Sequence, residues 1–215
     1  MTIANNAGKI SSDVRKAGNP GFSLVEMLVA TAIIITLAAI GIPTLMSMVR
    51  GLRTAGDARD LNGAIIQAKM RASSEFARTR LYADLSANTF RIEIQPNGTT
   101  SWTQDCTGGG SCDQFLSSGV SFGYGSLTSP PTSTQAALGQ ATACKDSSNT
   151  TISNTACIIF NSRGIPITPG TSPAPTGEDA IYVTDGKSVT GVTVSITGLS
   201  RLWRSDASAA SWQKQ

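Results

Sequence analysis

Glu26 is the only ionisable side chain between Phe22 and Val49, in a segment that is otherwise apolar or uncharged. A helix needs about 20 apolar residues to span the hydrocarbon core of a membrane, and this segment is long enough. An ionised carboxylate placed there costs about 2.5–3.5 kcal/mol on insertion scales. The chemistry that would offset this cost is pairing with a cation, for which an ammonium group is suited.

Two simple interpretations of this segment leave part of it unexplained. A cleaved secretory signal has an apolar core of about 7–15 residues followed by a small-residue cleavage site. Here the run is longer, and the small residues 30–32 fall in its middle. A plain N-terminal anchor explains the length and the preceding basic residues Lys9, Arg15 and Lys16, by the positive-inside rule. It does not explain Glu26.

A third interpretation gives the carboxylate a role. If the chain is cut after Gly21, Phe22 carries a new α-ammonium at the start of a helix, and Glu26 lies one turn further along the same face. An acid near a helix N-terminus also suits the helix dipole. The carboxylate would then pair with its own terminal amine or, in a packed helical bundle, with that of a neighbour.

The sequence GFSLVE at 21–26 resembles the prepilin peptidase motif of type IV pilins and type II secretion pseudopilins. In that family a glycine precedes the cut, a phenylalanine becomes the N-methylated first residue, and a glutamate is the fifth. The resemblance implies a leader peptide at 1–21, with cleavage and N-methylation at Gly21 and Phe22. It also implies that Glu26 helps to dock the subunit against its neighbour during assembly.

Pro43 stands where many pilins carry a helix-kinking proline. Proline removes a backbone donor and collides with the carbonyl four residues back, so it bends a helix or ends it. The apolar residues that continue at 45–49 favour a bend over a stop. Two features depart from the family pattern without breaking the motif: Pro20 replaces the more usual basic residue, and the leader is long.

From 50 to 79 the pattern becomes that of an amphipathic helix. Apolar residues recur at roughly helical spacing with charged residues between them. The predicted buried stripe is Leu52, Ala55, Leu61, Ile65, Ala68 and Ala72. We therefore expect a membrane-spanning and assembly helix at 22–49 that continues as an amphipathic half at 50–79, which lays one stripe on a globular domain.

After Thr79 the apolar period changes to two, which predicts a β-rich globular domain at 80–204. The predicted strands are 81–85, 90–94, 156–160, 180–184 and 189–196, with turns at 96–98 and 185–187. The region 102–151 is predicted to consist of disulfide-pinned or mobile loops, and 205–215 is predicted to be a flexible tail. The predicted fold class is α+β: a long N-terminal helix packed on an antiparallel β-sheet head, the pilin "lollipop".

This layout is similar to that of the minor pilins and pseudopilins of the FimT and GspH group, whose head has two β-sheets on the amphipathic helix. The sequence IIFNSRG at 158–164 resembles their I-x-F-x-x-x-G strand and turn. The resemblance implies a single-pass protein of the bacterial inner membrane with its head in the periplasm, later part of a type IV pilus or type II secretion pseudopilus. The implied partners are other pilins or pseudopilins, prepilin peptidase and the inner membrane.

The four cysteines, Cys106, Cys112, Cys144 and Cys157, all follow the apolar segment. Four cysteines permit three pairings, of which Cys106–Cys112 and Cys144–Cys157 close short loops in regions rich in Gly and Ser. A zinc site is the rival interpretation, but the spacings lack C-x2-C and the chain has no histidine to complete a site. We therefore predict disulfides in an oxidising compartment such as a periplasm, and neither a metal nor a cofactor.

Catalytic chemistry finds little support in the sequence. The chain has no histidine, which excludes every mechanism that needs an imidazole base. No pattern places Asp84, Glu93 and Asp105 together as paired acids. The sequence DGKS at 185–188 lacks the first glycine of a phosphate-binding loop and predicts a hairpin turn instead. We expect no enzymatic activity.

The segment TGLSRLWR at 197–204 is a second candidate site. DNA-uptake minor pilins of the FimT kind carry a C-terminal G-R-x-R element that grips DNA. This chain keeps Gly198 and Arg201, has a leucine in place of the first arginine, and adds Arg204 beside Trp203. Arginines bind phosphates and tryptophan stacks on bases. In the other interpretation both arginines are solvated edge residues and the tryptophan packs on the sheet.

Overall fold

The computed structural model describes residues 21–106 and 112–215, so the predicted leader, apart from Gly21, lies outside the described residues. The single helix in these two ranges, α1, spans Leu24–Ser74. The strands in chain order are β1 (Arg78–Asp84), β2 (Thr89–Gln95), β3 (Thr103–Gln104), β4 (Gln114–Phe115), β5 (Ser121–Phe122), β6 (Thr155–Phe160), β7 (Pro166–Ile167), β8 (Asp179–Thr184), β9 (Ser188–Val194), β10 (Ser200–Asp206) and β11 (Ala209–Lys214).

Helix α1 starts at the residue that follows Ser23. The amide of Met27 donates to the Ser23 carbonyl at 3.1 Å, which makes Ser23 the N-cap residue. Glu26 lies in the first turn at the third helical position. Serine followed three residues later by glutamate is the capping-box spacing, so Glu26 also suits the local backbone.

The helix continues through Pro43, as the sequence predicts, and ends at Ser74. This end comes earlier than the predicted 79, because Phe76 adopts a left-handed backbone conformation (φ 51°) that turns the chain toward β1. Within the described ranges, α1 is the one helix long and apolar enough to cross a membrane. Contacts divide the chain after Thr44, and the second unit, Leu45–Gln215, contains all the strands.

The strands form two antiparallel sheets. The first has the order β3-β2-β1-β6-β7, with β4 also paired to β2, and the second has the order β11-β10-β9-β8-β5. The main predicted strands are all present, each within a few residues of its expected bounds. The fold class is therefore α+β, as predicted.

Both sheets pack one face on the same stripe of the C-terminal part of α1. The buried residues of the helix are Thr54, Asp57, Ala58, Leu61, Ala64, Ile65, Ala68 and Ala72. Facing them are Leu81, Phe90, Ile158 and Phe160 of the first sheet and Ile181, Val192 and Val194 of the second. The prediction was wrong for Leu52, which is 72% exposed. At about 100° per residue, Leu52 points about 180° away from Leu61.

Two segments are more ordered than the sequence predicted. The predicted loop region 102–151 contains the two-residue strands β3, β4 and β5. The predicted tail at 205–215 is not free: β11 pairs with β10 through Trp203 and Lys214. Trp212 secures it, because its indole N–H donates to the Ser129 carbonyl at 2.8 Å. The predicted boundary at 204 therefore falls inside a hairpin.

Candidate functional sites

The residues of the predicted cleavage site lie at the exposed start of α1. Gly21 and Phe22 precede the helix, and the Phe22 side chain is 76% exposed. The Glu26 carboxylate is exposed one turn later and has no ion-pair partner within 4 Å among residues 21–106 and 112–215. Within a single chain, no side chain that the structure describes neutralises it. Cleavage and methylation remain predictions.

A second acid, Asp57, lies in the buried stripe of the same helix. Its two carboxylate oxygens accept hydrogen bonds from Ser117, one from the amide at 2.9 Å and one from the hydroxyl at 2.8 Å. Asp57 thus ties the loop before β5 to the helix. From the sequence, Asp57 was expected to be a solvated charge between apolar positions. The signal for burial was its position four residues before Leu61, which places both side chains on the same face of the helix.

The three residues of the candidate DNA element do not share one surface. Along β10 successive side chains point to opposite faces of the sheet. Leu202 packs against the helix core, and Arg204 lies on the same side, where its Nη2 is 3.4 Å from a Cβ built on Gly51. Arg201 and Trp203 lie on the other face. Arg201 is exposed, whereas the Trp203 indole donates to the Thr193 hydroxyl at 3.0 Å and is therefore partly used in packing.

The cysteines form the two local disulfides, Cys106–Cys112 and Cys144–Cys157, with Cα atoms 5.6 and 5.0 Å apart. The loop closed by the first lies outside the described residues. The second joins the chain before β6 to β6 itself. Its two cysteines are buried with Tyr82, Ile159 and Ile167 in a small cluster on the outer face of the first sheet.

The three acids considered for catalysis have separate partners. Asp84 accepts hydrogen bonds from Ser86 and Ala87 in a turn, and these bonds lower its pKa. Asp105 pairs with Arg71 at 3.0 Å. Glu93 bonds to arginines on its own sheet. The hairpin turn predicted at 185–188 is present, with the Asp185 carboxylate accepting the Lys187 and Ser188 amides.

The outer face of the first sheet carries a buried charge network that the sequence did not reveal. Glu93 accepts from Arg80 at 2.6 Å and from Arg91 at 2.7 Å. Arg91 also pairs with Asp113 at 3.0 Å. Burial lowers the pKa of Arg80 despite its partner, whereas burial raises that of Tyr82.

Aromatic rings complete this network. The Arg80 guanidinium lies 4.1 Å from the centre of the Trp102 ring, and that of Arg91 lies 4.0 Å from the centre of the Tyr82 ring. These are cation–π distances. The sequence alone shows these residues only as polar positions in alternating strands. Their contacts with one another depend on the register between β1 and β2, which the sequence does not show.

No protein-family model matches this chain, and neither a curated protein nor a solved structure shows a significant match to it.

Proposed function

We propose that this chain is a minor pilin or pseudopilin subunit. It is cut after Gly21, N-methylated at Phe22, held in the bacterial inner membrane by the first part of α1, and incorporated into a type IV pilus or type II secretion pseudopilus. The observation that carries the proposal is one continuous helix with an apolar, exposed first part that includes Glu26. It is supported by the GFSLVE sequence that immediately surrounds the helix start.

The physical argument rests on what the exposed part of α1 requires. A helix that is apolar all round is stable only when lipid or other helices cover it. Glu26 in such surroundings requires a cation, and a helix bundle whose subunits begin with an ammonium at Phe22 supplies one per subunit. The apolar first part of α1 is therefore covered by lipid before assembly and by neighbouring helices after it.

N-terminal sequencing and mass measurement of protein extracted from membranes of the native host test the processing step. The expected product begins at N-methylated phenylalanine 22 and lacks residues 1–21. A chain that retains the leader, or that begins elsewhere, would contradict the proposal. The control is Gly21→Val, which is expected to remain uncut while still entering the membrane, because the apolar segment is unchanged.

Two substitutions of Glu26 separate its possible roles. Glu26→Gln keeps the side-chain oxygen that a capping box needs but removes the charge, whereas Glu26→Ala removes both. Both variants are expected to be processed and membrane-bound, and both are expected to be absent from sheared filaments on immunoblots. If the glutamine variant enters filaments as well as the wild type does, the carboxylate acts only as a helix cap and the docking role fails.

DNA capture is a second hypothesis, which the exposure of Arg201 and Arg204 supports. Retention of DNA by the full-length protein in detergent at low salt, compared with Arg201→Ala/Arg204→Ala, tests it. Because the two exposed arginines lie on opposite faces of the sheet and Trp203 is hydrogen-bonded to Thr193, the three residues do not form one binding surface, and we expect the variant to lose little or no retention. A loss of DNA binding in the variant would favour the capture role.

A further inference from the structure

A cleft of about 250 Å³ opens on the outer face of the first sheet, beside the buried charge network. Its floor contains Arg80, Trp102 and Ile159. Three short loops form its walls: the turn after β2, the turn that follows Cys144, and the segment after β7. This volume lies just below that of pockets for drug-sized ligands, so it suits a small molecule or one unit of a longer one.

Two cations in this cleft lack a carboxylate partner. Arg78 and Lys145 both line it, and neither has an acid within 4 Å among the residues that the structure describes. The third cation, Arg80, is 3% exposed and already paired with Glu93. The one acid in the lining is Asp146, whose carboxylate accepts the amides of Ser148 and Thr150 in its own turn. The lining thus has an excess of positive charge directed at solvent.

The framework around these cations is fixed by bonds within the domain. Arg80 donates to the Lys145 carbonyl at 2.7 Å, and the disulfide Cys144–Cys157 holds the adjacent residue against β6. The far wall is a small hairpin, in which the Thr168 and Thr176 amides bond back across the turn. Gly170, in this hairpin, has a φ of 131°, a backbone conformation that favours glycine, and it lies beside the ammonium: a Cβ built on it would be 3.6 Å from Lys145 Nζ. The site therefore does not need to assemble around a ligand.

The remainder of the lining mixes hydroxyl groups with apolar surface. Hydroxyls come from Thr99, Thr100, Ser147, Thr168 and Thr171, and the apolar surface from Trp102, Ile159, Ile167, Pro169 and Pro173. Thr99 already donates to the Pro96 carbonyl and Thr168 already accepts the Ala174 amide, so the other three hydroxyls are the better placed to bind a ligand. A bare inorganic anion would use only the cations. A sugar ring, which presents both hydroxyl groups and C–H faces, matches both parts of this lining.

We propose that the cleft binds a sugar-sized polyol that carries a carboxylate or a phosphate. Arg78 and Lys145 bind the anionic group, the hydroxyls of Thr100, Ser147 and Thr171 bind the ring hydroxyls, and Trp102 contacts a C–H face of the ring. This inference does not depend on the assembly role proposed above, because it concerns a surface of the β-rich unit alone.

Calorimetric titration of the full-length protein in detergent tests this proposal, with glucuronate, glucose 6-phosphate and glucose as the probes. At least one of the two anionic sugars is expected to bind saturably, and glucose at least about tenfold more weakly, since a hydrogen bond to a charged group typically contributes about a factor of ten. The relative affinities of glucuronate and glucose 6-phosphate show whether the cleft prefers a sugar acid or a sugar phosphate. No saturation with either anionic sugar, or equal affinity for glucose, would overturn the proposal.

The variant Arg78→Gln/Lys145→Gln is expected to weaken the anionic sugar by at least about tenfold. Its matched control, Lys187→Gln/Arg201→Gln, removes the same charge from residues outside the cleft and is expected to bind as the wild type does. Equal weakening in both variants would show a general charge effect and refute the site. If the double variant does not fold, Arg78→Gln alone serves, because that side chain has no ion pair within the described ranges.

A spectroscopic readout comes from the indole in the cleft. Ligand is expected to change tryptophan fluorescence in the wild type but not in Trp102→Phe, since Trp203 and Trp212 are hydrogen-bonded elsewhere. A change that survives in Trp102→Phe would place the ligand at another surface.

Discussion

The two parts of α1 have the same secondary structure but meet different surroundings. Before Val49 the side chains are apolar on every side and exposed in the single chain. After it, one stripe is buried by both sheets, and the opposite face carries exposed residues such as Leu52, Ile66 and Met70. Local sequence thus determines that the segment is helical, but the packing partner determines which face is buried.

The acids of the two parts show the same contrast. Asp57 is buried and receives two hydrogen bonds from Ser117, so the fold of one chain satisfies it. Glu26 has no side-chain cation within 4 Å among the described residues; in the processed subunit that we propose, its partner would be the Phe22 ammonium of its own chain or of a neighbour. We therefore expect Asp57 to stabilise the single chain, whereas the role that we propose for Glu26 lies in assembly.

The largest effect is expected from truncating an apolar residue in the buried part. Leu61 is fully buried, and Leu61→Ala is expected to lower the free energy of unfolding by about 2–5 kcal/mol. Leu28→Ala, in the exposed part, is expected to leave it unchanged. Denaturation of the full-length protein in detergent, followed by tryptophan fluorescence, checks this pair. Equal losses in both variants would contradict the division of the helix.

The buried acid provides the next test. Asp57→Ala removes both hydrogen bonds to Ser117 and leaves the half-buried Ser117 amide without this acceptor, so a loss of about 1–3 kcal/mol is expected. The matched control is Asp60→Ala. Asp60 lies three residues after Asp57 and is exposed, so this variant is expected to have little effect. The same denaturation experiment applies. A neutral Asp57→Ala variant would show that the contact with Ser117 contributes nothing to stability.

The sequence predicted those elements that local pattern determines. The long helix, the β8–β9 hairpin and β6 all follow from periodicity; β6 reads as a continuous apolar run because Ile158 and Ile159 pack on opposite faces of the sheet. Of the candidate sites, the sequence predicted disulfides but left their pairing open, and the structure has the two pairings that close short loops. These features depend on residues close together in the chain.

The remaining features depend on partners distant in sequence. The strands β3 to β5 have two residues each, too few for a period, and exist through pairing with longer strands. The network of Arg80, Glu93 and Trp102 requires the register of β1 and β2 together with a loop folded over them. Strand β11 is rich in Ser and Ala, so its sequence shows little apolar alternation, and its Trp212 bonds to Ser129, a loop residue distant in sequence.

A third acid, Asp179, extends the comparison to pH. It is buried, one carboxylate oxygen has no hydrogen-bond partner, and burial raises its pKa to about 7, with a smaller contribution from Glu178. An unfolded aspartate has a pKa of about 3.9, so the folded state binds this proton more tightly. The contribution to stability is therefore complete below about pH 4 and is lost as the pH rises to about 7.

Asp179→Asn should remove that loss. We expect the variant to exceed the wild type in unfolding free energy by about 1–3 kcal/mol at pH 8 and to differ little at pH 4, where the carboxyl is protonated to a large extent in both states. Glu178→Gln, at the neighbouring exposed position, should retain most of the pH dependence. Denaturation curves at the two pH values provide the measurement. If the difference in unfolding free energy between variant and wild type is the same at both pH values, the Asp179 carboxyl is solvated or paired in solution.

The smallest effect is expected on the exposed face of the second part of α1. A Cβ added at Gly63 meets no atom within 4 Å, so Gly63→Ala gains helix propensity at no steric cost, and a stabilisation of about 1 kcal/mol is expected. Gly191→Ala is the contrasting variant: its Cβ would lie 2.5 Å from the Tyr182 ring, and a loss of about 1–3 kcal/mol is expected. Thermal unfolding of both proteins gives the comparison. If Gly63→Ala destabilises the isolated protein, that face of the helix is covered within the single chain. The variant could also stabilise the single chain and yet be recovered less in sheared filaments. In that case the added methyl group collides with a neighbouring subunit, because nothing that the structure describes in the single chain occupies the space beside Gly63.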